Sequence, residues 1–269
     1  MKVKLQLIRN ATLRIQYAHL ELLVDPMFSD AKANPPVINS ANDRRNPLVP
    51  LPFSVTDKLH PDVVLVTHLH PDHWDQAAMD ALPKKTPILC QPGDEDTLVS
   101  QGFTSVTAVQ ETLEYEGVTI IRTGGHHGTG EIGRMMGQVS GFILKAEGQP
   151  TLYIAGDTIW CDEVKEVLDA HKPEMTVVNA GGARFLTGDP IIMDEDDVIQ
   201  LLRHAPYTKA IAVHMEAINH CLVTREELSD RLAAEGAPPG AAASARTERE
   251  PWRPAQGTRA TGRARCATR

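Results

Sequence analysis

The chain opens with "KVKLQLIRN", "TLRIQYA" and "HLELLVDP", three runs in which apolar and polar residues alternate. A period of two predicts half-buried antiparallel strands, and Asp25-Pro26 ends the third. Residues 29–54 break the pattern: they are dense in Pro and Asn and predict a long irregular loop. "DVVLVT" (62–67) reads as a buried strand leading into a helix that begins near Trp74. "TPILCQ" predicts a strand, "PGDEDTLVSQG" a helix ending at Gly102, and "SVTAVQ" a further strand. Two strand pairs follow, turning at Glu116-Gly117 and at Glu147-Gly148. The last part alternates helix and strand: "CDEVKEVLDAHKP", "MTVVNAGG", "DEDDVIQLLRHAP", "KAIAVHM" and "TREELSDRLAAEG", the last with Thr224 as N-cap and Gly236 as stop. Early antiparallel strands and late alternation predict an α/β layered sandwich, sheet on sheet with helices outside.

The ends of these strands carry the chemistry. "VVLVT" runs into His68, His70, Asp72 and His73; "VTIIRT" runs into "GGHHGTG" with His126 and His127. "TLYIAG" runs into Asp157 and "KAIAV" into His214. Strands of one sandwich place such ends along one edge, so these side chains can converge. Imidazole and carboxylate are ligands of zinc and of borderline divalent metals generally. His68 and His70 are separated by one residue in an extended stretch, so both can face one ion. Asp72 and His73 follow at the turn, which Pro71 stiffens, and suit a second ion. A carboxylate that reaches both ions explains an Asp at 157. His19, His60, His171 and His204 read as ordinary surface or core residues.

Composition narrows the class. The 269 residues carry a net charge of −8, but the segment from Gly236 onward holds seven Arg and two Glu, net +5. The first 235 residues therefore set 20 basic against 33 acidic side chains, net −13, a poor partner for nucleic acid. No apolar stretch is long enough to predict a membrane span, and the N-terminus lacks the apolar core of a signal peptide. Scattered Cys90, Cys161, Cys221 and Cys266 fit reduced thiols that pack rather than ligate, so cytoplasmic residence is expected. Residues 236–269 have no hydrophobic period and predict a disordered basic tail. Either it is a natural extension or, the reading favoured, an altered C-terminus that replaces a native last strand.

The spacing H-x-H-x-D-H after a strand, then H-G-T, then "GDT", then a late strand-end His resembles the metallo-β-lactamase-fold hydrolase superfamily over roughly residues 3–235. The segments "FSD…RRNPLVPLP", "AGDTIW" and "NAGG" resemble its ascorbate-6-phosphate-lactonase-like branch. The resemblance implies a four-layer αββα sandwich in residues 1–235 with a dinuclear site at one edge. It implies that His68, His70 and one His of "HHG" hold the first metal, with His127 favoured over His126. Asp72, His73 and His214 would hold the second, with Asp157 bridging.

Two zinc ions, or manganese or iron in their place, lower the pKa of a shared water from about 15.7 toward about 7 and so supply hydroxide. The sequence has no G-x-S-x-G nucleophile motif, and a metal-dependent hydrolase of a small-molecule lactone, phosphodiester or related ester is expected. Asp72 or Asp157 could also orient the water or pass a proton to the leaving group. Asp25 and Thr67 are expected behind the histidines as tautomer-fixing partners. The pocket walls are expected from residues 29–54, from "GTGEIGRMMGQ" read as a mobile lid or flexible turn, and from "NAGGARF" with Asn179 and Arg184. His126 is a candidate substrate-facing group, and His220 reads equally as substrate-facing or surface. Arg44, Arg45, Arg134 and Arg184 are candidate anion binders. The alternatives are a di-iron redox protein on the same fold, which His70 disfavours, and a ligand-binding sensor that keeps its metal. Oligomeric state is not readable.

Overall fold

The computed structural model describes residues 3–55, 59–237 and 242–244. A first sheet begins with β1 (Lys4–Arg9), β2 (Thr12–Tyr17) and β3 (Leu20–Val24), antiparallel as their alternation predicts. It continues in parallel through β4 (Val63–Leu65), β5 (Ile88–Cys90) and β6 (Val106–Ala108), with α1 (Gln76–Ala81) and α2 (Glu95–Ser100) as crossovers. The second sheet repeats this plan. β7 (Thr112–Tyr115), β8 (Val118–Thr123), β9 (Gly141–Lys145) and β10 (Leu152–Ile154) are antiparallel, with α3 (Gly130–Met136) between β8 and β9. β11 (Met175–Asn179), β12 (Lys209–Val213) and β13 (Ala242–Ser244) add on in parallel through α4 (Asp162–His171), α5 (Glu195–His204) and α6 (Arg225–Ala234).

The period-two pattern sorts side chains between layers. Leu13, Ile15, Val63, Leu65, Ile120 and Val177 fill the space between the sheets. Their neighbours point the other way: Val64 and Val66 pack on Trp74, Ala78 and Leu98, and Val178 packs on Val164, Val198 and Leu228. The expected αββα sandwich is the fold. Across its middle the Tyr17 hydroxyl, at the end of β2, meets the carbonyls of Leu144 and Pro150, each at 2.8 Å. No helix among the described residues is long and apolar enough to cross a membrane.

Three expectations need correction. The 74–82 helix starts at Gln76, because the Asp75 carboxylate accepts from Ala78 N and caps it. "GEIGRMM" is a helix rather than a flexible turn: Ile132 and Met136, four apart, rest on an apolar cluster with Met27, Ile191 and Ile218. Within the basic tail, Ala242–Ser244 form a strand that takes its partners from the β12 backbone, from Ala210↔Ala242 to Ala212↔Ser244. An edge strand is ordered by this ladder and needs no apolar period of its own, so a closing strand does exist. The rest of the tail beyond Ala237 lies outside the described residues.

Candidate metal centre

Both sheets deliver residues to one rim. From the first sheet, the chain leaves β4 and carries His68, His70, Asp72 and His73 toward α1. From the second, His127 follows β8, Asp157 follows β10, Asn179 ends β11 and His214 follows β12. The two rims are tied together where the His214 N–H donates to the Asn10 carbonyl (2.9 Å) while Asn10 Nδ2 donates to the Asp72 carbonyl (3.0 Å). His214 itself sits at φ +59°, a left-handed backbone that this contact helps to hold. At Gly156 (φ +71°) an added Cβ would lie 2.6 Å from the Ser140 carbonyl, so only glycine lets β10 deliver Asp157 this close.

The donors fall into two groups whose ligand atoms lie within 4.8 Å of one another: His68, His70 and His127; and Asp72, His73 and His214. Asp157 stands between them. Its Oδ2 is 3.9 Å from His68 Nε2, 3.2 Å from His73 Nε2 and 3.5 Å from His127 Nε2, and its Oδ1 is 3.8 Å from His214 Nε2. Asp72 Oδ2 is 3.0 Å from His214 Nε2. His68, His73, His127, Asp157 and His214 are buried, while His70 and Asp72 are half-buried toward the mouth.

The outward ring nitrogens decide what the inward ones can do. Thr67 Oγ1 gives its one proton to Asp25 Oδ2 (2.8 Å), so it must accept from His68 Nδ1 at 3.0 Å. His73 Nδ1 meets Asp25 Oδ2 at 2.9 Å and His127 Nδ1 meets the Ile191 carbonyl at 2.8 Å, both acceptors. Each Nε2 is thereby aimed inward. His68 Nε2 is buried without a hydrogen-bond partner, and His73 Nε2 faces His214 Nε2 at 3.1 Å. Two imidazole nitrogens at that distance beside two carboxylates, and an orphaned third nitrogen, make a pocket for a cation. The donor set of imidazoles and carboxylates therefore fits a divalent metal.

Electrostatics agrees. Burial alone would raise Asp72 and Asp157, yet His73 and His214 hold both carboxyls well below the usual range. Burial, helped by the neighbouring His73, pushes His68 well below the ordinary imidazole value. Burial would lower His73 too, but Asp157, Asp72 and Asp25 outweigh it and push it up to about 10. Without a metal, protons on the second group supply the positive charge that the carboxylates demand.

A family model described as a β-lactamase superfamily domain matches residues 21–215, which contain every one of these donors. The chain belongs to that superfamily. A relative in Bacillus subtilis, "UPF0173 protein YddR", is 38% identical over 229 residues, 83% of this chain and 89% of its own. The crystal structure of an isothiocyanate hydrolase from Delia radicum gut bacteria superposes with a TM-score of 0.86 at 38% identity, covering 92% of this chain and 97% of that one. A "possible metal-dependent hydrolase" from Veillonella parvula gives 0.87 at 32% identity, with the same coverage of both chains. This β-lactamase superfamily protein is thus an enzyme of the metal-dependent hydrolase class. None of these relatives singles out the lactonase-like branch.

Among the superfamily protein's remaining candidates, the structure brings some to the site and takes others away. His126 turns outward, its side chain 56% exposed beside Glu163. Asn179 is buried with its Nδ2 donating to Asp157 Oδ1 at 2.5 Å, so it steadies the carboxylate instead of lining a pocket. Arg184 is corrected as an anion binder: its guanidinium lies 3.6 Å from Asp194 Oδ2 and 3.3 Å from the Gly182 carbonyl. Arg45 likewise donates to the Lys32 and Ala33 carbonyls, while Arg44 and Arg134 are exposed. His220 is buried rather than at the surface, its ring 6.2 Å from that of Phe185. Asp25 and Thr67 stand behind the histidines as expected.

Sequence reasoning missed Asn219. Buried at the rim, it accepts from Val37 N and Asn46 Nδ2 and donates to Ser40 Oγ and to the Val37 and Asn42 carbonyls. One side chain thereby folds the 34–46 segment over the site. The Asn-rich composition of that loop was the available signal.

Proposed function

We propose that this protein holds two divalent ions, zinc in the first instance, and uses them to hydrolyse a small, weakly polar molecule at an electrophilic carbon. The observation that carries the reading is the inward convergence of His Nε2 atoms with two carboxylates, with the Nδ1 atoms of His68, His73 and His127 held outward by Thr67, Asp25 and Ile191. His68, His70 and His127 would hold one ion, and Asp72, His73 and His214 the other, with Asp157 shared. When bound, such ions supply Lewis acidity and lower the pKa of water. Asp72, half-buried and at the mouth, is the group positioned to accept a proton from attacking water and return it to the leaving group. Asn179 keeps Asp157 oriented.

The surroundings favour an apolar substituent over an anion. A cavity of about 540 Å³ borders Asp72 and is walled by Met27, Pro35, Pro36, Val37, Trp74 and Ile218. Arg45 and Arg184 are occupied elsewhere. An isothiocyanate, the class named for the 38%-identical neighbour, fits this description: water adds to its central carbon and the products are an amine and carbonyl sulfide. Lactones and simple esters fit next, and phosphodiesters least. A cytoplasmic setting belongs to the same proposal, supported by the free buried thiols of Cys90, Cys161 and Cys221.

The test is turnover of an arylalkyl isothiocyanate, a lactone, an aryl ester and an aryl phosphodiester by metal-loaded protein, with chelated protein and His68→Ala as controls. Chelator-sensitive turnover of a carbon electrophile is expected. Absence of turnover across the panel by fully metallated protein removes the reading.

A further inference from the structure

The doubled histidine is divided between two places. His127 points inward, while His126 points to the opposite side of its strand end, where it meets Cys161 and Glu163. The His126 Nε2 and Glu163 Oε1 atoms are 2.9 Å apart, and together with Cys161 Sγ they form a third cluster whose ligand atoms lie within 4.8 Å of one another. None of these three side chains belongs to the metal centre described above.

The backbone holds the cluster in place. His126 N donates to Thr158 Oγ1 (2.9 Å), and Ile159 N donates to the His126 carbonyl (2.9 Å). These bonds knit the segment after β8 to the segment that joins β10 to α4. Cys161 is the N-cap of the ten-residue α4, with no side-chain capping bond, and Glu163 lies in its first turn. Cys161 is 9% exposed, whereas the His126 and Glu163 side chains are 56% and 40% exposed. The thiol is thus a shielded floor, and the other two groups form an open rim.

From this juxtaposition we propose that His126, Cys161 and Glu163 form a further metal site, for a zinc-type transition ion, at the edge of the catalytic mouth. One nitrogen, one sulfur and one oxygen are a zinc donor set, and metal–ligand distances of about 2.0–2.3 Å put donors roughly 3.5 Å apart. The present spacings reach that with side-chain rotation of two exposed groups. Solvent or a small ligand completes the tetrahedron on the open side. Binding displaces the proton from the thiol. The bound ion fastens the segment carrying His127 to the segment carrying Asp157, so occupancy stiffens two donors of the catalytic centre. Cys161 is then a ligand, and not the packing thiol expected from sequence.

Cobalt(II) added to the metal-free full-length chain tests this directly. The catalytic donors are nitrogen and oxygen alone, so a near-ultraviolet thiolate-to-cobalt charge-transfer band reports the further site. At saturation the band is expected to have the intensity of one thiolate-bound cobalt per chain, to vanish in Cys161→Ser, and to persist in Cys221→Ser and in a His68→Ala/His70→Ala double variant. In His126→Ala and Glu163→Gln, both at exposed positions, half-saturation is expected to need at least tenfold more cobalt. Bound metal in Cys161→Ser falls by one ion per chain, whatever number the catalytic centre holds. Absence of the band in cobalt-loaded protein, its survival in Cys161→Ser, or unchanged half-saturation in both rim variants overturns the proposal. The double variant separates this result from any failure at the catalytic centre.

Discussion

Asp25 Oδ2 lies 2.9 Å from His73 Nδ1, and the other contacts of the same carboxylate run to Thr67, whose N–H and hydroxyl it accepts at 2.8 Å each. One buried acid at the end of β3 therefore fixes His73 directly and His68 through Thr67. Asp25→Asn removes the charge and one acceptor. Metal affinity is expected to fall by about 10–100-fold, the usual loss when a ligand's supporting group is removed. Chelator competition at fixed pH measures it, and an unchanged affinity would leave Asp25 without this role.

Asn179 is a neutral side chain that donates to Asp157, at 2.5 Å. Asn179→Ala leaves a buried carboxylate oxygen short of a partner, at a cost of about 1–3 kcal/mol. At saturating metal, kcat is expected to drop at least tenfold while metal content stays at the wild-type value. Parallel kinetics and elemental analysis distinguish this from simple loss of the ions.

In the metal-free protein, burial alone would lower the His73 pKa, but Asp157, Asp72 and Asp25 push it up from 6.5 to about 10. A raised folded-state value means that the imidazolium's stabilisation is complete below pH 6.5 and is lost as pH rises through about 10. The Tm of chelated protein is expected to decline over that interval, and the decline should be smaller in His73→Gln. Metal must displace the same proton, so metal affinity should rise with pH across the same window. A flat Tm profile would remove the charged imidazolium from the account.

Gly181 packs against the metal-binding loop so closely that an added Cβ would lie 2.1 Å from the His214 carbonyl and 2.9 Å from Cys221 Cβ. Gly181→Ala is expected to cost about 1–3 kcal/mol by overpacking and to weaken metal retention through His214. Denaturant unfolding and metal analysis read the two effects separately. Retention of both stability and metal would show that the loop moves aside.

Thr224 provides the contrast. Its hydroxyl and the Glu227 carboxylate make a reciprocal capping box at the start of α6, and neither group is a metal-centre donor. Thr224→Ala is expected to cost about 1 kcal/mol of stability with metal content and turnover unchanged. A loss of metal here would reveal coupling between α6 and the site.

Much of this is legible in the residues alone. The alternation in β1–β3, the buried runs ending in His or Asp, the H-x-H-x-D-H spacing and the Thr224 cap are local properties of the chain. Periodicity decides which face a residue occupies, and a strand end decides which rim it reaches. That sufficed for sheet on sheet with helices outside and for six of the converging donors, while the choice of His127 over His126 rested on the family resemblance.

Tertiary structure decided everything that depends on which distant groups meet. The glycines around "EIGRMM" read as a mobile lid or flexible turn until Ile132 and Met136 found Ile191 and Ile218 to pack against. Asn179 and Arg184 looked free to meet a substrate, but Asp157 and Asp194 claim them. Adjacent His126 and His127 are told apart in sequence only by the family resemblance, and in space by what lies on each side of their strand end. Residues 242–244 carry no signal of their own and become a strand because β12 offers an unpaired edge. Spacing along a chain specifies direction and period, whereas hydrogen-bond and metal partners are set by approach in space across dozens of residues.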